Sequence, residues 1–190
     1  MSKILVLYQS NSSHTEKMAL FVYKGACSVK GAEVRLKSIA EAGAEDLKWC
    51  DGIALGAPTN FGTVPWEMKK WWDEQIDCWM HLDGKFGTVF SSSGSWGGGA
   101  ELTCMTLMHI LINYGILVFG ITDYTGPKFS AHYGAVMPGE PQDEGQSGAC
   151  ERIGMRLSEY CGLYMDGDKT LHPSKQTYDR SPPDSKRGEP

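Results

Sequence analysis

Ile4-Leu5-Val6-Leu7 is a near-continuous apolar run, the pattern of a strand buried on both faces of a parallel sheet. It breaks into Gln9-Ser10-Asn11-Ser12-Ser13-His14-Thr15. Met18, Phe21, Val22, Ala26 and Val29 then recur at the spacing of one helix face. Glu33 to Ile39 alternates polar and apolar, which predicts a strand half-exposed at a sheet edge. A short helix around Ala44 to Trp49 leads to a second buried strand, Asp51 to Gly56, and to a Pro- and Gly-containing loop, Ala57 to Val64. Pro65 suits a first helical turn, and the spacing of Met68, Trp71, Trp72, Ile76 and Trp79 predicts a helix from Trp66 to about Trp79. Phe86 to Ser91 is a fourth strand, followed by a flexible loop, Ser92 to Gly99, and a helix from Ala100 to about Tyr114. Ile116 to Phe119 is a fifth strand, Gly120 to Gly148 a long loop of the length that usually has a function, and Cys150 to about Tyr164 a last helix.

This alternation of strand and helix argues for an α/β fold with a doubly wound parallel sheet. Five strands suit the flavodoxin-like order 2-1-3-4-5, with helices on both faces and a ligand site at the carboxyl ends of strands 1 and 3. One domain is expected over residues 1–165, with a polar tail over 166–190 whose composition reads as solvated chain.

Charge and cysteine content narrow the classes. The net charge is −5, from 18 basic and 23 acidic residues, with no basic stripe, so nucleic acid is not an expected partner. No apolar run is long enough to span a bilayer, and no leader pattern precedes the first strand, so a cytoplasmic protein without membrane insertion is expected. The six cysteines are scattered, without C-x-x-C or zinc spacing, and read as reduced, non-catalytic thiols; no metal site is expected.

The candidate chemistry lies in the loops after strands 1, 3 and 4, each ending at a helix N-terminus. The first offers hydroxyls and free helix N–H groups to an anion, with no Lys or Arg, although Ser12, Ser13 or Thr15 could equally serve only as a helix cap. The second offers backbone amides from Pro58 to Val64, the Thr59, Asn60 and Thr63 side chains, and Phe61 as a ring contact or a plain core residue. The third, with Gly94, Gly97, Gly98 and Gly99, lets backbone approach a flat ligand or simply turn. A flavin mononucleotide would use all three, as phosphate cradle, ring-edge donors and walls.

The residues Lys3-Ile4-Leu5-Val6-Leu7-Tyr8, His14, Gly56-Ala57-Pro58-Thr59-Asn60-Phe61-Gly62, Val89 to Ser95 with Gly97-Gly98-Gly99, and Tyr133-Gly134-Ala135 resemble the flavodoxin-like NAD(P)H:quinone oxidoreductases of the WrbA type, over roughly residues 2–164. The resemblance implies bound FMN and transfer of two electrons from NAD(P)H, as co-substrate, to a quinone. It carries the FMN phosphate to Ser10, Asn11, Ser12, Ser13, His14 and Thr15, and the ring contacts to Pro58, Thr59, Asn60, Phe61, Gly62 and Thr63. Further flavin contacts fall on Ser92, Ser93, Gly94, Ser95, Trp96, Gly97, Gly98 and Tyr133. Trp79 matches a Trp that helps form the nicotinamide and quinone pocket, often across a subunit boundary, in a family of homotetramers.

Four departures stand out. Ser13 replaces a frequent Gly. The insertion after the second strand, implicated in tetramer contacts, is largely missing, which makes a homodimer more plausible. Trp96 is an extra residue in the third loop. Tyr114 stands where the family has a ring-facing His, and a Tyr is no cation near neutral pH. Two alternatives remain: an electron carrier without NAD(P)H activity, for which −5 is a mild charge, and a flavin-binding sensor or interaction module. A low-molecular-weight phosphatase would need Cys and Arg in the first loop, and a response regulator an Asp where Gly56-Ala57 stands.

Overall fold

The computed structural model of the chain describes residues 1–126 and 129–175. Strands β1 (Ser2–Tyr8), β2 (Ala32–Ser38), β3 (Gly52–Pro58), β4 (Phe86–Ser93) and β5 (Leu117–Val118) form a parallel sheet in the order β2-β1-β3-β4-β5. The expected doubly wound order is therefore present, with β2 at the edge. Along β1 the side chains alternate between two cores. Leu5 and Leu7 pack under helices α2 (Ala44–Trp49), α3 (Trp66–Asp73) and α4 (Ala100–Asn113), in a core with Leu47, Met68, Trp72 and Leu107. Ile4 and Val6 pack under α1 (His14–Cys27) and α5 (Glu144–Met165), in a core with Met18, Phe90 and Ile153.

The fifth position of the sheet departs from expectation. It is shared by two strands on the same side of β4: β5 pairs with Phe86 and Gly87, and β8 (Ala135–Pro138) pairs with Phe90 to Ser93. Between them the chain leaves the sheet and forms a small antiparallel pair, β6 (Tyr124–Gly126) and β7 (Phe129–Ser130). Asp123, just before β6, is tied to α5 by buried charges. Arg152 Nε donates to Asp123 Oδ2 at 2.6 Å, and both Arg152 and Arg156 donate to Glu159 Oε2.

Two expected helix boundaries shift, and so does the start of the tail. α3 stops at Asp73, and a separate single turn covers Ile76–Cys78 before Trp79. α5 begins six residues before Cys150, where Asp143 caps it by accepting the Gln146 N–H at 2.8 Å. The expected tail starts with packed structure: turns span Lys169–Leu171 and Pro173–Lys175, and Leu171 fills the space beside Gly162. Residues 176–190 of that tail lie outside the described residues.

α1 and α5 approach at backbone contact. A Cβ built on Gly25 would lie 1.9 Å from the Glu151 carbonyl oxygen, and one on Gly154 would lie 2.0 Å from that of Val22. Ser158 Oγ donates to the Ala26 carbonyl at 3.0 Å in the same crossing. This close seat fixes α1, and with it the loop that precedes α1, against the sheet.

Candidate functional site

The parallel register brings the carboxyl ends of the strands to one edge. Tyr8 is level with Gly56 and Ser38, and Pro58 with Ser92. The loops after β1, β3 and β4 therefore start side by side, as the sequence implied.

In the first loop Asn11, Ser12 and Ser13 are exposed, Ser10 and His14 half-buried, and Thr15 buried. Ser13 takes φ 62, the left-handed conformation that a Gly adopts freely, so the chain follows a glycine-like path without a glycine. Ser13 caps α1 by position only, since its side chain makes no capping bond. Ser12 Oγ is 3.3 Å from His14 Nδ1, and Gln9 Nε2 donates to Asn11 Oδ1 at 2.6 Å. Thr15 Oγ1 and Ser92 Oγ share a buried hydrogen bond of 2.8 Å, joining the first loop to the third. Two buried polar atoms at this end have no partner among the described residues: Gln9 Oε1 and Ser10 Oγ. Such orphans are uncommon in folded proteins. Lys17, one turn along α1, is engaged by Glu140 in the segment after β8, and that ion pair holds the Glu140 carboxyl below its usual range.

The second loop is tied to the third through backbone and hydroxyls. The Thr59 N–H donates to the Ser92 carbonyl at 2.7 Å, and Thr103 Oγ1 donates to Thr59 Oγ1 at 3.0 Å. Asn60 and Thr63 exchange backbone hydrogen bonds around a tight turn whose central residues, Phe61 and Gly62, both have positive φ. That turn throws Phe61 fully into solvent, so Phe61 is no core residue. Pro58 ends β3, level with Ser92.

The third loop turns on itself. Ser93 Oγ donates to the Ser95 carbonyl at 2.9 Å, and the Gly98 N–H donates to it at 3.0 Å. Gly94 and Gly97 have open space where a Cβ would stand, while Gly99 sits against Thr59 and Gly62 of the second loop. Trp96 is exposed and meets Phe129 of β7 edge-on, ring centres 6.2 Å apart. Trp96 and Phe129, with Asp143 to Gln146 at the start of α5, line an open cleft of ≈ 700 Å³. Phe129 and the start of α5 are site-edge features that the sequence reading missed.

Three expected site residues lie elsewhere. Tyr114 follows the far end of α4, a helix of 14 residues whose other end is at Gly99, which at 1.5 Å per residue is about 20 Å from the loops. It is buried, and its hydroxyl donates to the Trp72 carbonyl at 2.8 Å, so it does not face a ring held by the three loops. Trp79 is exposed beyond the end of α3 distant from the second loop, and forms no wall of this chain's own site. Tyr133 is exposed just before β8, whose register sets Ala135 level with Phe90; Phe129, not Tyr133, is the ring that meets Trp96.

The remaining residues suit a flavin nucleotide. Ser10 Oγ is an unpaired hydroxyl beside the free N–H groups of α1, the donor set that a phosphate takes. The open faces of Gly94 and Gly97 and the exposed turn at Phe61-Gly62 leave backbone reachable by a planar ring. Fold and loops together define a flavodoxin-like α/β protein with its three loops gathered at the switch point.

The comparisons with known proteins agree. No protein-family model matches the chain. It is 51% identical over 172 residues to a flavodoxin of Aquifex aeolicus, covering 90% of this chain and 93% of that one. It is 37% identical over 143 residues to an NAD(P)H dehydrogenase (quinone) of Rhizobium rhizogenes, covering 64% of this chain and 71% of that one. Among solved structures, the flavodoxin, WrbA-like protein from Agrobacterium tumefaciens superposes with a TM-score of 0.67 at 23% identity, covering 86% of this chain and 99% of that one. The chain belongs to the flavodoxin family of FMN-binding redox proteins.

Proposed function

We propose that the chain holds FMN in its three loops and acts as an electron carrier. The observation that carries the FMN assignment is the buried, unpaired Ser10 hydroxyl at the mouth of α1. Ser10, Ser12 and the first N–H groups of α1 would hold the phosphate. The Thr59 to Gly62 turn and the Ser93 to Gly98 backbone would hold the ring. When bound, FMN supplies an acceptor and donor of electrons. The protein's own part is to place the ring at an open edge, flanked by exposed Phe61 and Trp96, where a redox partner can reach it. The carrier reading takes its support from the flavodoxin likeness and from Tyr114, which stands where the reductases have a ring-facing His, lying away from the loops.

A second reading, an NAD(P)H:quinone reductase, draws on the likeness to the Rhizobium rhizogenes enzyme and on the cleft beside Trp96, which has room for a ring. It requires Trp79 to reach the loops of a second copy, in a homodimer or homotetramer.

An anaerobic titration separates the two. Protein loaded with FMN is mixed with NADPH and then NADH, followed by dithionite, with absorbance as readout. A flavin band untouched by either nucleotide but reduced by dithionite in two resolved one-electron steps is the expected result. Direct bleaching by a nucleotide, with recovery on adding benzoquinone, would establish the reductase instead. Failure to hold FMN would overturn both.

A further inference from the structure

The first turn of α5 faces the rim of the third loop across the open cleft of ≈ 700 Å³. On one side Trp96 and Phe129 meet edge-on and form a corner of two rings. On the other stand Asp143, Glu144, Gly145 and Gln146, within one helical turn, about 5 Å along the axis. Gln146 is only 7% exposed, and its Oε1 accepts the Gln142 N–H at 2.8 Å. That bond fixes the carboxamide. The Nε2 group, which can donate two hydrogens, has no partner among the described residues, and it is not one of the chain's sealed polar atoms. The Gly145 N–H, in the first turn of the helix, has no intrahelical acceptor. Asp143 gives Oδ1 to the Gln146 N–H and keeps Oδ2 free, and the Glu144 carboxylate is exposed. The lining holds no lysine or arginine.

The cleft therefore sets N–H donors and two carboxylates side by side next to aromatic faces. A carboxylate only accepts, and it binds best where two parallel N–H groups meet it. The Gln146 and Gly145 donors need a carbonyl oxygen on the same ligand edge. Adenine suits this set poorly, because the ring nitrogen beside its amino group is an acceptor and would face carboxylate oxygen. We propose that the cleft binds a flat heterocycle whose edge carries a carbonyl, a ring N–H and an amino group in a row, the edge that guanine and pterins share. The carbonyl takes the Gln146 and Gly145 donors, the two N–H groups meet the carboxylates of Asp143 and Glu144, and the ring lies on Trp96. The volume is that of a small-molecule site. The inference does not rest on the flavin assignment, since Asp143, Glu144 and Gln146 are not among the FMN contacts.

The test uses the full chain loaded with FMN, titrated in a calorimeter with guanosine, pterin and adenosine. Guanosine and pterin are expected to bind saturably, at least tenfold more tightly than adenosine. Tighter guanosine identifies a nucleoside as the ligand, tighter pterin a pterin, and either supports the shared edge. Asp143→Asn keeps a residue that caps a helix, and Glu144→Gln keeps the side-chain length. Together they remove both charges, and should weaken guanosine at least tenfold while leaving adenosine and FMN retention unchanged. Equal affinity for guanosine and adenosine, or unchanged guanosine affinity in the double variant, would overturn the proposal. So would guanosine binding to the FMN-free chain that vanishes on loading, because the flavin would then fill the cleft itself. A chain that binds guanosine but retains no FMN would sink the flavin reading and leave this one standing.

Discussion

Thr15 Oγ1 and Ser92 Oγ, 77 residues apart in sequence, lie 2.8 Å from each other with both side chains buried. The bond fastens the first turn of α1 to the end of β4, tethering the first loop to the third. Thr15→Val keeps the shape and leaves the Ser92 hydroxyl unpaired. It should cost about 1–2 kcal/mol in urea unfolding. FMN affinity, read by quenching of flavin fluorescence, should fall about tenfold if a similar energy is lost from the cradle.

Ser13 holds its left-handed backbone without help from a side-chain cap. Ser13→Val places a β-branched side chain in that conformation and should lose about 1–3 kcal/mol of stability. Ser13→Gly should be neutral or mildly stabilising. A thermal scan of the two variants beside the parent checks the order.

Gly154 has no room for a methyl group, with the Val22 carbonyl oxygen 2.0 Å from its would-be Cβ. Gly154→Ala must push α5 off α1, and should destabilise by about 3 kcal/mol or more. Gly31, where a Cβ meets nothing within 4 Å but φ is +89, provides a contrast. Gly31→Ala should lose only the smaller cost of backbone strain, on the order of 1 kcal/mol.

Asp46 is a largely buried carboxylate with an acid signature. Burial pulls its pKa up, but the Lys37 ammonium, the Gly43 N–H and the Arg35 guanidinium together hold it below the ordinary carboxylate value. A depressed carboxylate contributes stability that is complete above its unfolded pKa of about 3.9 and is lost as pH falls through the lower folded value. Asp46→Asn should cost about 1–2 kcal/mol at pH 7 and make the fall in stability below about pH 4 shallower. Chemical denaturation at stepped pH measures both.

Of the six cysteines only Cys27 is exposed. Burial pushes the Cys50 thiol up to about 12 and raises those of Cys104, Cys150 and Cys161 as well. Native protein should therefore give one fast-reacting thiol with an aromatic disulfide reagent at pH 8, and six after unfolding.

The sheet was legible because each of its central strands is a short apolar run ending in turn chemistry, and such runs state both burial and the position of the next loop. The three loops were legible for the same reason. What was not legible follows from long-range packing. Tyr114 sits at the predicted helix end, one residue past the observed one, and sequence position alone does not say which end of α4 faces the site. The helix direction does: a parallel sheet forces α4 to start at the loops and finish away from them. Gly145 and Gly148 hid the first turns of α5, although Asp143 with Gln146 three residues on is a helix-start signature. β8 was hidden because four residues ending in Pro138 carry too little pattern, and only the pairing with β4 makes them a strand. Positive φ at Phe61 depends on the Asn60–Thr63 pairing, which sequence suggests only weakly.

The divided fifth position works as a splice joint. β5 and β8 each complete a different half of the same neighbour, so the chain between them, pinned at its root by the buried Asp123–Arg152 pair, can vary at its β6–β7 tip while both halves stay docked. Changes there reach the β4 carboxyl end only through four residues of β8, whereas the ring contact between Phe129 and Trp96 sits within the exchangeable part. The fold thus allows the rim of the site to be rewritten by altering one surface segment, with the cradle beneath it left as it was.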